Sequence, residues 1–188
     1  MPELLLWFQL HYPELKQALQ HCSHSADESE INPYHIEDDC WSHTMMVCKM
    51  VEINTDDKAL HAAALLHDVG KPESRRINPR NNHVQFFGHE ERSAIIAAPI
   101  LAHMVKDGLL LEVEAKEAQE LVAKHGFFYQ CKDVDEAYEA FVSRRDFFIK
   151  LSVLVECDHM GRFCHEEVDG RFVSIQQIMQ TLLQRLAA

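Results

Sequence analysis

Residues 59–71, ALHAAALLHDVGK, constrain this chain more than any other stretch, because they set a histidine beside an aspartate at the end of a helix with almost no polar surface. Leu60, Ala63, Ala64 and His67 fall at the i, i+3, i+4, i+7 spacing of one helix face, so His67 prolongs an apolar stripe. Ala59, Ala62, Ala63 and Ala64 keep the helix thin, which suits a central element that neighbouring helices approach closely. Gly70 is expected to end the helix in the left-handed conformation, and Pro72 to prevent its continuation. An aspartate buried there, Asp68, needs an ion-pair partner or a metal, since an isolated buried carboxylate is strongly unfavourable. The alternative is an ordinary helix end whose Asp68 meets solvent.

The chain of 188 residues has room for one domain with a substantial core. Its formal net charge of −12 argues against an extended nucleic-acid footprint or an anionic membrane surface, and leaves small anionic substrates open where positive charge is local. The opening MPELLLWFQL carries Glu3 where a signal peptide would be basic, and its apolar run is too short to span a bilayer. Six cysteines without a CxxC pair or an export signal read as reduced thiols of a cytoplasmic protein. The thirteen histidines stand out. Oligomeric state is not legible.

Along the chain, short helices are expected over 3–10 and 14–22, with Pro13 in a first turn, followed by a polar loop over 23–39. A helix with Ser42 as its cap carries His43, Met46, Val47 and Met50 on one face to about residue 53, and Asp56 or Asp57 caps the central helix. Residues 71–87 read as a long loop across the mouth of any site at His67 and Asp68. That loop has Lys71, Arg75, Arg76 and Arg80 against Glu73, which beside a metal points to phosphate binding and otherwise to a solvated charge run. A helix begins at residue 88 with His89 in its first turn and is kinked or interrupted at Pro99. Ala118, Leu121, Val122 and His125 form the next stripe, stopped by Gly126, and a loop follows over 127–135. Leu151, Leu154, Val155 and Asp158 repeat the spacing in a helix over 146–160, and the helix over 174–186 reads as packing. The only strand candidates are 84–87 and 171–173, so the expected class is all-α.

Four helices thus each carry a metal-capable side chain on an apolar stripe: His43, His67 with Asp68, His125 and Asp158. In a helical bundle these stripes face one another, and a shared cation in the interior would satisfy the polar groups together. Mixed imidazole and carboxylate ligands suit Mn, Fe, Ni, Co or Zn better than magnesium or calcium. No HExxH or GxSxG occurs, and GKPE at 70–73 lacks the rest of a phosphate-binding P-loop. Cys157, His159, Cys164 and His165 are spaced unlike a structural zinc knuckle.

These residues carry a resemblance. His43, the HDVGK segment with His67 and Asp68, and Asp158 resemble the H…HD…D signature of the HD-domain superfamily of metal-dependent phosphohydrolases. WSHTMMV at 41–47, HDVGKPES at 67–74 and HVQFFGHEERSA at 83–94 resemble more closely the HD region attached to bacterial tRNA nucleotidyltransferases and related free-standing HD proteins. The resemblance covers residues 41–161. It implies an HD-domain helical bundle with the metal site in its interior, 1–40 as N-terminal helices and loop, and 162–188 as a C-terminal packing helix. It implies one metal at His43, His67, Asp68 and Asp158, and a second at His89 and His125 with Asp68 bridging.

On that reading Asp68 and Lys71 are catalytic, and Lys71, Arg75 and Arg76 bind the phosphate of a small substrate such as a nucleotide or cyclic nucleotide. Two departures narrow it: the acidic residues of a nucleotidyltransferase are absent, so tRNA end synthesis is not implied, and no GYP motif follows the HD segment. The other readings are a di-iron oxygenase on the same ligand set and a non-catalytic nucleotide-binding module.

Overall fold

The computed structural model describes residues 1–27, 32–164 and 170–187. Its centre is α4 (Lys58–Leu66), in which every residue from Ala59 to Leu66 is buried. Four longer helices pack around it: α3 (Cys40–Asn54), α6 (His89–Lys106), α7 (Glu112–Lys124) and α10 (Arg145–Met160). The alanine-rich surface lets these neighbours close in, while Leu65 and Leu66 fill the interior completely. Truncating either leucine to alanine would cost roughly 2–5 kcal/mol of stability. The N-terminal pair α1 (Pro2–His11) and α2 (Pro13–Gln20) lies against α4 and α3, with Pro13 in the first turn as expected. At the far end α11 (Gly170–Ala187) packs on α9 (Val134–Phe141) and α10. The all-α expectation therefore holds.

Local chemistry sets the helix starts. Asp57 accepts a 3.0 Å hydrogen bond from the Leu60 amide and caps α4. In α3 the cap is Asp39 and not Ser42: the Asp39 carboxylate accepts from the Ser42 amide at 2.8 Å and from its hydroxyl at 2.6 Å. Ser42 thus serves the cap from inside the first turn, and the helix begins three residues earlier than its own side chain suggested.

Several expectations need correction. Gly70 is right-handed, with φ −86° and ψ −12°, so its role is not a left-handed helix stop. A Cβ at this position would lie 2.5 Å from the Ser93 amide nitrogen and 2.8 Å from the His89 carbonyl oxygen; glycine is there because α6 passes against the backbone. Pro72 starts a helical turn, α5 (Lys71–Ser74), where its missing amide is harmless. Residues 71–87 hold this turn and a small antiparallel hairpin of β1 (Arg76–Ile77) and β2 (Val84–Gln85). Helix α6 runs unbroken through Pro99, because the proline and Ile95, whose carbonyl loses its usual amide partner, both lie on the exposed side of the helix. The stretch 127–135 contains α8 (Phe127–Gln130) and the start of α9, and 171–173 belong to α11 and not to a strand.

Candidate metal centre

Six side chains from the ends of five helices meet at the C-terminal end of α4. His67 caps the C-terminus of α4, and Asp68 follows it in the turn. His125 caps the C-terminus of α7, and Asp158 lies in the last turn of α10. Helix C-termini carry partial negative charge, so three of these ends favour a cation between them. His43 comes from α3, and His89 is the first residue of α6. Gly161 keeps α10 close: a Cβ there would lie 2.7 Å from the Val47 backbone nitrogen on α3.

The two oxygens of Asp68 face two different groups. On one side Asp68 Oδ2 is 3.2 Å from His67 Nε2 and 3.6 Å from His43 Nε2, and the same two nitrogens lie 3.8 and 2.9 Å from Asp158 Oδ1. On the other side Asp68 Oδ1 is 3.4 Å from His89 Nε2 and 3.8 Å from His125 Nε2. The structure thus brings together His43, His67, Asp68, His89, His125 and Asp158, the residues singled out from spacing and resemblance.

The donor set fits cations, and the imidazoles show why. Nδ1 of His67, His89 and His125 each donates to a main-chain carbonyl, those of Ala64, Phe86 and Val122, at 2.8, 2.8 and 2.7 Å. A neutral ring pinned in this way presents a bare lone pair at Nε2. Nε2 of His89 and Nε2 of His125 are nevertheless only 3.1 Å apart. Burial keeps both rings neutral, lowering His89 and bringing His125 down to about 4, with neighbouring His89 adding to the effect on His125. Two lone pairs facing each other beside a carboxylate need a positive charge between them. Asp68, 1% exposed, also lacks a hydrogen bond of good geometry at either oxygen, although Oδ2 is 2.7 Å from the Lys71 ammonium.

Lys71 is buried as well, 3.1 Å from His24 Nε2. Burial opposes its charge, but Asp68 outweighs burial and its ammonium is held more firmly protonated than in water. For His43, too, burial opposes protonation, and the hydrogen bond to Asp158 together with the nearby Glu37 carboxylate overcomes it, raising the ring to about 9. Asp158 and Asp68 stay ionised, burial being outweighed by the histidines around each and, for Asp68, by Lys71.

Sequence reasoning missed a layer behind His43. Glu37 Oε1 lies 3.3 Å from His43 Nδ1 and 2.8 Å from His35 Nδ1, and His35 stacks on His24 with ring centroids 3.9 Å apart. These residues come from the segment read as a polar loop, where no periodicity marks them. A cavity of about 610 Å³ adjoins the centre through His89 and is lined also by Lys71, Tyr34, Phe86, Arg162 and Phe172. Arg75 and Arg76 are not part of this lining. Arg75 donates to the carbonyls of Ser23 and Ser25 at 2.9 and 2.7 Å, and Arg76 to those of Glu73 and Arg75 at 3.2 and 2.6 Å. His165, from the rejected zinc-knuckle set, lies outside the described residues.

The HD domain family matches residues 40–151. The chain belongs to this family. Among curated proteins it is similar to the Multifunctional CCA protein of Paracidovorax citrulli (strain AAC00-1), 31% identical over 143 residues, covering 71% of this chain and 32% of the relative. The protein of the same name from Azoarcus sp. (strain BH72) is 30% identical over 139 residues, covering 69% of this chain and 31% of that one. The chain spans about a third of the length of these relatives. The match to the HD domain ends before Asp158, which the fold brings back to His43. Among the described residues no helix is long and apolar enough to cross a membrane.

Proposed function

We propose that this HD domain is a metal-dependent phosphohydrolase acting on a small phosphoester such as a nucleotide or cyclic nucleotide. The observation that carries the reading is the division of Asp68, each of whose oxygens faces its own pair of histidines, next to a cavity that Lys71 and His89 line. His43, His67, Asp68 and Asp158 would hold one divalent transition metal, and Asp68, His89 and His125 a second. Bound there, such ions supply Lewis acidity to a phosphoryl oxygen and activate water for attack on phosphorus.

The chain's own residues do the rest. Lys71 keeps its charge between Asp68 and the cavity, where it can offset negative charge on a phosphate. Arg162 takes the place expected for Arg75 and Arg76, since it lines the cavity and they do not. Phe86 and Tyr34 offer apolar faces on which a nucleobase can stack while its phosphate points to Lys71 and His89.

A panel of nucleotides, cyclic nucleotides and simple phosphoesters, assayed with Mn, Fe, Ni, Co or Zn, tests the reading together with metal titration. The internal centre of the wild type is expected to take up about two equivalents and that of a His89→Ala/His125→Ala variant about one. Asp68→Ala should abolish turnover with helical content intact. Full activity of that variant would overturn the proposal, and oxygen consumption with redox-active iron in place of hydrolysis would favour the oxygenase instead.

A further inference from the structure

A second set of metal-capable groups shares no residue with the internal centre and lies where the C-termini of α1 and α6 meet. His11 is the last residue of α1, His103 is in the last turn of α6, and Asp107 caps α6. One ligand atom from each lies within 4.8 Å of the other two. We propose that His11, His103 and Asp107 form a surface site for a borderline divalent cation of the zinc class, with solvent completing the coordination and the ion joining α1 to α6.

The neighbours orient each ligand as supporting groups do in built metal sites. His11 Nδ1 donates to the Trp7 carbonyl at 2.9 Å, which leaves the Nε2 lone pair for an ion. The Tyr12 hydroxyl engages His103 Nδ1 at 3.1 Å, and His103 Nε2 points towards Asp107 Oδ2 at 3.5 Å. The Trp7 indole donates to that same oxygen at 2.8 Å and fixes the carboxylate. The two imidazoles stand nearly perpendicular, at 87° with centroids 5.2 Å apart, and Trp7 contacts both rings. Two helix C-termini and one carboxylate make the position electronegative, so a cation is favoured there before any coordinate bond forms. Two imidazoles and a carboxylate with open positions are a recognised zinc donor set.

Trp7 is also a reporter, and Trp41→Phe leaves it the only indole. In that variant Ni²⁺, a paramagnetic ion, should quench emission saturably, and Zn²⁺ should compete. Adding His11→Gln and His103→Gln should remove the saturable quench while circular dichroism stays helical, and Asp107→Asn, which can still accept from Trp7, should weaken the ion at least about tenfold. In otherwise wild-type protein the double glutamine change should lower total zinc uptake by about one equivalent. The proposal is overturned if quenching is absent, if it survives the double glutamine change, or if zinc uptake is unaltered. Loss of metal at the internal site would leave these readouts in place, so failure here is distinct from failure of the proposed hydrolase.

Discussion

At the scale of single residues, Gly70 and Asp68 act together: the glycine lets α6 touch the turn, and the aspartate uses that proximity to reach His89. A methyl group at residue 70 would collide with main-chain atoms of His89 and Ser93, which cannot swing aside as a long side chain would. Gly70→Ala is therefore expected to push the start of α6 outward, with a stability loss of about 1–3 kcal/mol in urea denaturation. The affinity for a second metal equivalent should fall while that for the first is retained. Unaltered uptake of both equivalents would show that the contact does not position His89. The pairing of His67 with Asp68 was legible from the sequence because it continues a helical stripe. The demand for glycine was not legible for its true reason, since the obstructing backbone belongs to His89 and Ser93, far along the chain, and leaves no periodic trace.

Among elements, the stretch before α3 closes over the centre and is fastened by the hairpin region. Arg75 provides the fastening through its bonds to the Ser23 and Ser25 carbonyls, and the Ser23–Asp39 bridge closes the base of the loop. His24, His35 and Glu37 lie on this segment. Arg75→Ala is expected to lose about 1–2 kcal/mol, the worth of a partly exposed charge-assisted pair, and so to lower Tm in the absence of any substrate. A variant with unchanged Tm and a raised KM would return Arg75 to phosphate binding. The longer helices could be placed from their stripes, because a buried face repeats every three or four residues. The short α8, and α9 with its start at residue 134, escaped because Phe127, Phe128 and Phe141 pack by aromatic contact over too few turns to set up a pattern.

For the whole molecule, burying so many histidines couples folding to pH. His35 and His125 are brought by burial to about 4, so below about 6.5, the ordinary value, the unfolded chain takes up protons that the native protein refuses. Stability of metal-free protein should therefore fall as pH drops from about 6.5 towards about 4, each ring contributing on the order of 3 kcal/mol. His43 acts in the opposite sense: its raised value of about 9 gives stability that is present below about 6.5 and lost as pH climbs through its folded value. Urea denaturation in chelator at about pH 5, 7 and 9 should show the highest stability near neutrality, and a flat profile would contradict the burial argument. The way the centre is assembled has a practical consequence for anyone shortening this protein. A gene fragment cut to the family boundaries, residues 40–151, would keep the HD pair yet discard Asp158 downstream and Glu37 upstream. The family match is shorter than the span that contributes side chains to the centre, and swaps between relatives should be drawn to include residues 37 and 158.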